Sequence, residues 1–159
     1  METKGNIVGE AAGASLFVGR FLHSLDPKRR LTIPSDWRGV AGPAEKLFVL
    51  PGVRHPCLMV YPAREIAHRL ERLRQRSVAD DRGRQMARVL GSRSELLACD
   101  AQGRIRIKDE LLAFAELREQ VVLAGTFDGF ELWNPATWER VVGTTDQTEL
   151  LEATKYVEF

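Results

Sequence analysis

Two stretches of this chain can be laid over each other, and that constrains its fold more than any other feature. "LDPKRRLTIP" runs from Leu25 to Pro34, and "CDAQGRIRIK" runs from Cys99 to Lys108. At an offset of 74 residues, Asp26 meets Asp100, Arg30 meets Arg104, Leu31 meets Ile105, Ile33 meets Ile107 and Trp37 meets Leu111. The same offset carries "KLFVL" (Lys46–Leu50) onto "QVVLA" (Gln120–Ala124). After a one-residue deletion, "LMVYPA" (Leu58–Ala63) falls on "ELWNPA" (Glu131–Ala136). A self-similarity of this kind means one supersecondary unit used twice. Each unit reads strand, turn, strand, short helix, strand, turn, strand, and then a helix opened by proline.

Local patterns agree with that reading. Phe17, Gly19, Phe21, His23 and Leu25 alternate with Val18, Arg20, Leu22 and Ser24, which permits a strand with both faces partly covered. Leu31, Ile33, Ile105 and Ile107 alternate with polar residues, as half-buried strands do. Ser35–Arg38 and Lys108–Leu117 can start short helices, the first ended by Gly42-Pro43. Pro51-Gly52 and Asp128-Gly129 each sit between apolar runs and mark hairpins. Pro62 and Pro135 suit the first turn of a helix, where a missing N–H costs nothing.

Between the repeats, Ile66, Leu70 and Leu73 share one helical face. Asp80 or Asp81 can cap a further helix that carries Met86, Val89 and Leu90 and ends at Gly91. The expected organisation is an N-terminal extension without order over 1–16, a first unit over 17–63 and a basic helical linker over 64–93. A second unit over 94–142 and a flexible or frayed tail over 143–159 complete it. The fold class is α+β, mostly β, with two-fold pseudo-symmetry. Trp37, Trp133 and Trp138 are expected in the core and between repeats.

A net charge of +1 conceals a strong asymmetry. Residues 1–98 hold 17 Lys+Arg against 10 Asp+Glu, and residues 99–159 hold 6 against 12. The first part can face a polyanion, or basic and acidic surfaces of two copies can meet head to tail. Within 64–93 there are nine Arg and four acids. The opening residues have no apolar run, which argues against a signal peptide, and no stretch is apolar enough to span a membrane. A cytoplasmic protein is expected. Cys57 and Cys99 form no CxxC pattern, and His23, His55 and His68 show no ligand spacing, so neither a metal nor a cofactor is expected. There is no P-loop, GxSxG or HExxH, so no catalytic residues and no small-molecule substrate are assigned.

The chemistry of the two aligned turns is more specific. An Asp that opens a tight turn can accept hydrogen bonds from backbone N–H groups through its side chain. A Gly in the fourth place takes a positive φ without a steric penalty. The following Arg stands at the foot of the next strand. "DAQGR" has all three features, with Asp100 and Gly103 structuring the turn below Arg104. "DPKRR" places Arg29 where the second copy has Gly103, which implies strain unless a turn through Pro27-Lys28 avoids it. Lys28, Arg29 and Arg30 then project from one loop. Lys and Arg supply affinity for the DNA backbone, Arg can read guanine in the major groove, and a two-stranded ribbon fits that groove.

The paired D-x-K-x-R and D-x-x-G-R units resemble the MraZ family, as do "FVGRFLHSLDPKRRLTIP", "YPAREI" and "FDGFELWNPATWERV". The likeness runs from about Phe17 to Val142. It implies two AbrB-like units of the SpoVT type, tandem swapped-hairpin β-barrel units with short helices. It implies a bacterial transcriptional regulator that binds direct repeats in double-stranded DNA upstream of its own gene. That gene would open the division and cell-wall cluster, which the protein would repress. It further implies a homo-oligomeric ring with the basic loops on one side, associated with the nucleoid. Carried over by position, Lys28, Arg29 and Arg30 would contact phosphate or bases, with Arg104 weaker or packed between repeats. Asp26 and Asp100 would hold the turns. Arg29 departs from the family's Gly, adding charge where DNA would lie. The alternative is a protein-interaction module of antitoxin type that does not bind DNA.

Overall fold

The computed structural model describes residues 16–41, 46–77 and 80–159. Residues 1–15 of the N-terminal extension expected over 1–16, and the Gly42-Pro43 helix stop, lie outside the described residues. The chain is α+β and built on antiparallel strands. In the first half come β1 (Arg20–Ser24), β2 (Arg30–Thr32), α1 (Ser35–Ala41), β3 (Leu47–Pro51) and β4 (Leu58–Pro62). Helices α2 (Ala63–Ser77) and α3 (Asp81–Arg93) follow. The second half repeats the order with β5 (Glu95–Leu97), β6 (Arg104–Arg106), α4 (Asp109–Phe114), β7 (Gln120–Gly125), β8 (Phe130–Trp133) and α5 (Pro135–Val141). Helix α6 (Gln147–Tyr156) ends the chain.

Strand pairing interleaves the halves. Six strands form one sheet in the order β1-β7-β8-β4-β3-β5, and β2 and β6 form a separate two-stranded ribbon. The first strand of each repeat therefore pairs with the hairpin of the other, β1 with β7 and β5 with β3. The hairpins meet in the middle, where Leu58 pairs with Leu132 and Val60 with Phe130. A pseudo-two-fold relation passes between β4 and β8, because the strands on either side are repeat equivalents.

The ribbon closes over this sheet. Leu31 and Ile105 pair directly and point inward, and with Ile33 and Ile107 they are at most 1% exposed. They pack with Leu47, Val49, Leu58, Val60, Leu123 and Leu132 of the sheet's inner face. Period-2 alternation serves β3 and β4 well, since every second residue is buried. β7 departs from it, with Val121 to Ala124 all buried, because α5 covers its second face. Trp37 sits at the centre of an aromatic cluster, 4.8 Å from the Phe130 ring and 5.1 Å from Phe21, centroid to centroid. Its indole N–H donates to the Val18 carbonyl at 2.9 Å, which ties α1 to the strand entry. Trp133 and half-buried Trp138 form a smaller cluster with Cys57 and Val122 on the far side of the sheet.

The helices follow their end signals. Asp80 caps α3 by accepting from the Arg82 N–H at 2.9 Å, as expected. Gly91 does not end that helix, which runs on to Arg93 and closes at Ser94. Gly91 is not in the left-handed conformation by which a glycine ends a helix. Asn134, unremarked in the sequence reading, caps α5 through the Ala136 and Thr137 N–H groups, with Pro135 in the first turn. The C-terminal tail is a helix and not an irregular segment. Asp146 accepts from the Glu149 N–H while Glu149 accepts from the Asp146 N–H, a capping box that compensates for the weak apolar pattern.

Candidate nucleic-acid interface

The two Asp-to-Arg loops have the same hydrogen bonds. In the first, the Arg29 N–H donates to the Asp26 carbonyl at 2.8 Å and the Asp26 N–H to the Arg30 carbonyl at 3.0 Å. In the second, Gly103 N–H to Asp100 carbonyl and Asp100 N–H to Arg104 carbonyl are both 2.9 Å. The residue before the Arg is left-handed in both, with φ +61° at Arg29 and +77° at Gly103. A turn through Pro27-Lys28 does form, but Arg29 does not escape the positive φ. A three-residue hairpin loop joins a turn to a left-handed residue, so the two features come together.

Each Asp side chain then fixes its Arg twice. Asp26 accepts from the Arg30 backbone N–H through Oδ1 and from Arg30 Nε through Oδ2, both at 2.7 Å. Asp100 does the same for Arg104 at 2.9 and 2.8 Å, and also accepts from the Gln102 N–H. The backbone N–H groups of Arg30 and Arg104 are the main reason that both carboxyls lie below the ordinary carboxylate pKa, with the guanidinium bonds adding to the effect. Holding Nε leaves the terminal Nη groups of Arg30 and Arg104 without a hydrogen bond among the described residues, so they are oriented yet open.

The ribbon brings these arginines together with one that sequence reasoning missed. Arg30 pairs directly with Arg106, and Thr32 with Arg104. Since Leu31 and Ile105 point inward, Arg30, Thr32, Arg104 and Arg106 share the outer face. Like charges directly opposite one another destabilise a sheet. Here Asp26 offsets Arg30, and Asp109 lies 3.2 Å from Arg106 Nη2 and 3.2 Å from Arg29 Nη1. Arg106 could have been found from the "RIRI" alternation, which puts it on the same strand face as Arg104. Its offset partner is Thr32, so the repeat comparison alone passes over it. Lys28 is exposed at the tip of the first loop. The second loop lies against α1, where Arg38 donates to the Ile33 carbonyl and a methyl group at position 103 would collide with its guanidinium.

The linker arginines divide in two. Arg69 is structural: it stacks 4.3 Å above the Tyr61 ring and pairs with Asp128. Arg64 donates to the Val40 carbonyl at 3.0 Å. Arg72, Arg74, Arg82, Arg84, Arg88 and Arg93 are exposed. Cys57 is buried and its thiol is pushed up to about 12, chiefly by loss of solvent. No group of His, Cys, Asp and Glu that could hold a metal ion occurs among the described residues, and no helix among them is long and apolar enough to cross a membrane.

Comparison with known proteins finds relatives over most of the chain. A family model described as "MraZ protein, putative antitoxin-like" matches residues 93–155. The transcriptional regulator MraZ of Roseiflexus castenholzii is 34% identical over 146 residues, covering 90% of this chain and 98% of the relative. That of Pediococcus pentosaceus is 36% identical over 132 residues, 83% of this chain and 90% of the relative. That of Escherichia fergusonii is 35% identical over 132 residues, 80% and 85% of the two chains. These relatives, matched over most of this chain, are transcriptional regulators, and that is the class of protein the chain is similar to. The chain belongs to the MraZ family.

Proposed function

We propose that this protein represses transcription by binding double-stranded DNA through the loops Asp26–Arg30 and Asp100–Arg104. The observation that carries the reading is the outer face of the β2–β6 ribbon. There Arg30, Arg104 and Arg106 stand side by side, two of them held at Nε with their Nη groups open. Lys28 and Arg29 extend that face at one end. A fold gains nothing from facing two arginines across a ribbon, whereas a phosphate backbone rewards it. Asp26, Asp100 and Gly103 act as turn-formers that set the arginine directions. In this reading residues 17–63 and 94–142 are two AbrB-like units, joined by the basic linker 64–93 and followed by the tail 143–159.

The target is a set of direct repeats upstream of the protein's own gene, at the head of a division and cell-wall cluster, and the working form is a nucleoid-associated ring. One chain offers few phosphate contacts. Several chains on one rigid assembly gain through effective concentration when the sites repeat at matching intervals. No catalytic step is needed. A second reading, a protein-interaction module of antitoxin type, draws support from the family description and from α6, in which no residue is buried and Leu150, Leu151 and Tyr156 are exposed.

Fluorescence anisotropy of a labelled duplex from upstream of the gene, against a scrambled duplex, tests the proposal. Sequence-dependent binding that weakens in Arg30→Ala and Arg104→Ala and falls steeply with salt is expected. A flat salt response, with both variants like wild type, would sink it in favour of a protein partner.

A further inference from the structure

Equivalent positions of the two halves differ in a correlated way. The left-handed position of the loop is Arg29 in the first half and Gly103 in the second. Because the strands interleave, each loop faces the short helix of the other half. The first loop meets α4, where Arg29 Nη1 lies 3.2 Å from Asp109, and the second rests on Arg38 of α1. The residue equivalent to Asp109 at the start of α1 is Ser35. The first loop–helix contact therefore pairs a loop cation with a helix anion, whereas in its counterpart the charged partner of the glycine is the Arg38 guanidinium.

Asp109 does not serve Arg29 alone. The same Oδ1 atom lies 3.2 Å from Arg106 Nη2, so one carboxylate oxygen bridges two guanidinium groups, one from the first loop and one from β6. All three side chains are well exposed, at 57% for Arg29, 47% for Arg106 and 64% for Asp109. Exposed pairs of this kind add little to stability. A carboxylate oxygen bridging two guanidinium groups on a basic face occupies the position that a phosphate oxygen would take.

We propose that Asp109 is an internal counter-ion that stands in for a DNA phosphate between Arg29 and Arg106, and that the duplex must displace it. The proposal rests on the DNA reading above. Its consequence is that the two loops of one chain are unequal. Asp109 engages the left-handed residue of the first loop, Arg29, whereas the equivalent residue of the second loop, Gly103, has no side chain for an acid to hold. The protein thereby gives up affinity for isolated stretches of DNA and depends more on several chains engaging at once.

The test uses the full chain with Asp109→Asn, which keeps shape and removes charge. Asp109→Ser is the second variant and installs the residue that this fold already holds at the equivalent position 35. Thermal melting confirms that both are folded. Both variants should bind duplex more tightly, by roughly twofold to fivefold for each chain in contact. The gain should be equal on target and scrambled duplexes, since phosphate carries no sequence, and it should vanish in an Arg29→Ala/Arg106→Ala background. Unchanged or weaker binding by folded variants, where wild type binds and Arg30→Ala does not, overturns the counter-ion role and leaves the DNA reading standing. Wild type that binds no duplex overturns both.

Discussion

Arg30 and Arg106 stand directly opposite one another in the β2–β6 ribbon, with both side chains on its outer face. Each has an acid from elsewhere, Asp26 four residues before Arg30 and Asp109 three residues after Arg106. The ribbon tolerates the repulsion because each of those acids offsets one of the two cations. Asp26 and its repeat equivalent Asp100 make the loops sensitive to pH and to substitution.

Asp26 and Asp100 are both held below the ordinary carboxylate value of 3.8, first by the N–H groups of Arg30 and Arg104. A group whose folded pKa is depressed adds stability that is complete above its unfolded pKa and is lost as pH falls through the folded one. An Asp26→Asn/Asp100→Asn variant should therefore melt below wild type at neutral pH. The gap should narrow between about pH 5 and about pH 2, where wild type loses what the variant already lacks. Melting curves across that range check this, and a constant gap would contradict the assignment.

Positions 29 and 103 should both favour glycine over a side chain. Arg29→Gly and Arg29→Ala both remove the guanidinium, but only glycine relaxes the φ of +61°. The glycine variant should be the more stable by about 1 kcal/mol. Gly103→Ala should cost at least about 1 kcal/mol, because its methyl group meets a left-handed φ of +77° and the Arg38 guanidinium together. Denaturant titrations of the three variants resolve these differences.

Trp37→Ala should be the most damaging of the aromatic substitutions. The side chain is 1% exposed, lies among Phe17, Phe21 and Phe130, and holds the Val18 carbonyl. A loss of about 3–5 kcal/mol is expected, enough to unfold much of the population at growth temperature. Trp37→Phe should recover most of the packing and none of the N–H bond. Near-ultraviolet circular dichroism and chemical denaturation measure both.

The Cys57 thiol, pushed up to about 12 by burial, should resist alkylation in the native protein at about pH 8 and react fully once unfolded. Half-buried Cys99 is shifted in the same direction by the same cause. Mass spectrometry after iodoacetamide treatment reads each cysteine separately. Fast native labelling of Cys57 would mean that its cluster with Trp133 opens readily.

What the sequence determined by itself is local. The hairpin turns, a helix cap at Asp80 or Asp81 and the left-handed glycine at 103 all depend on residues within about five positions of one another. An Asp reaches the N–H four residues on whatever the rest of the chain does, so the turn and its Arg direction were legible. The candidate site was half visible on the same ground, since Lys28, Arg29, Arg30 and Arg104 belong to those turns. Tertiary structure decided which strands pair. Alternation says which residues share a face but not which strand lies beside it, so the pairing of β1 with β7 and of β2 with β6 could not be read. That pairing placed Arg106 opposite Arg30, and it set the first loop against α4 and Asp109. Those partners lie some 76 and 80 residues apart in the chain, and only the shared core of Leu31, Ile33, Ile105 and Ile107 brings them together.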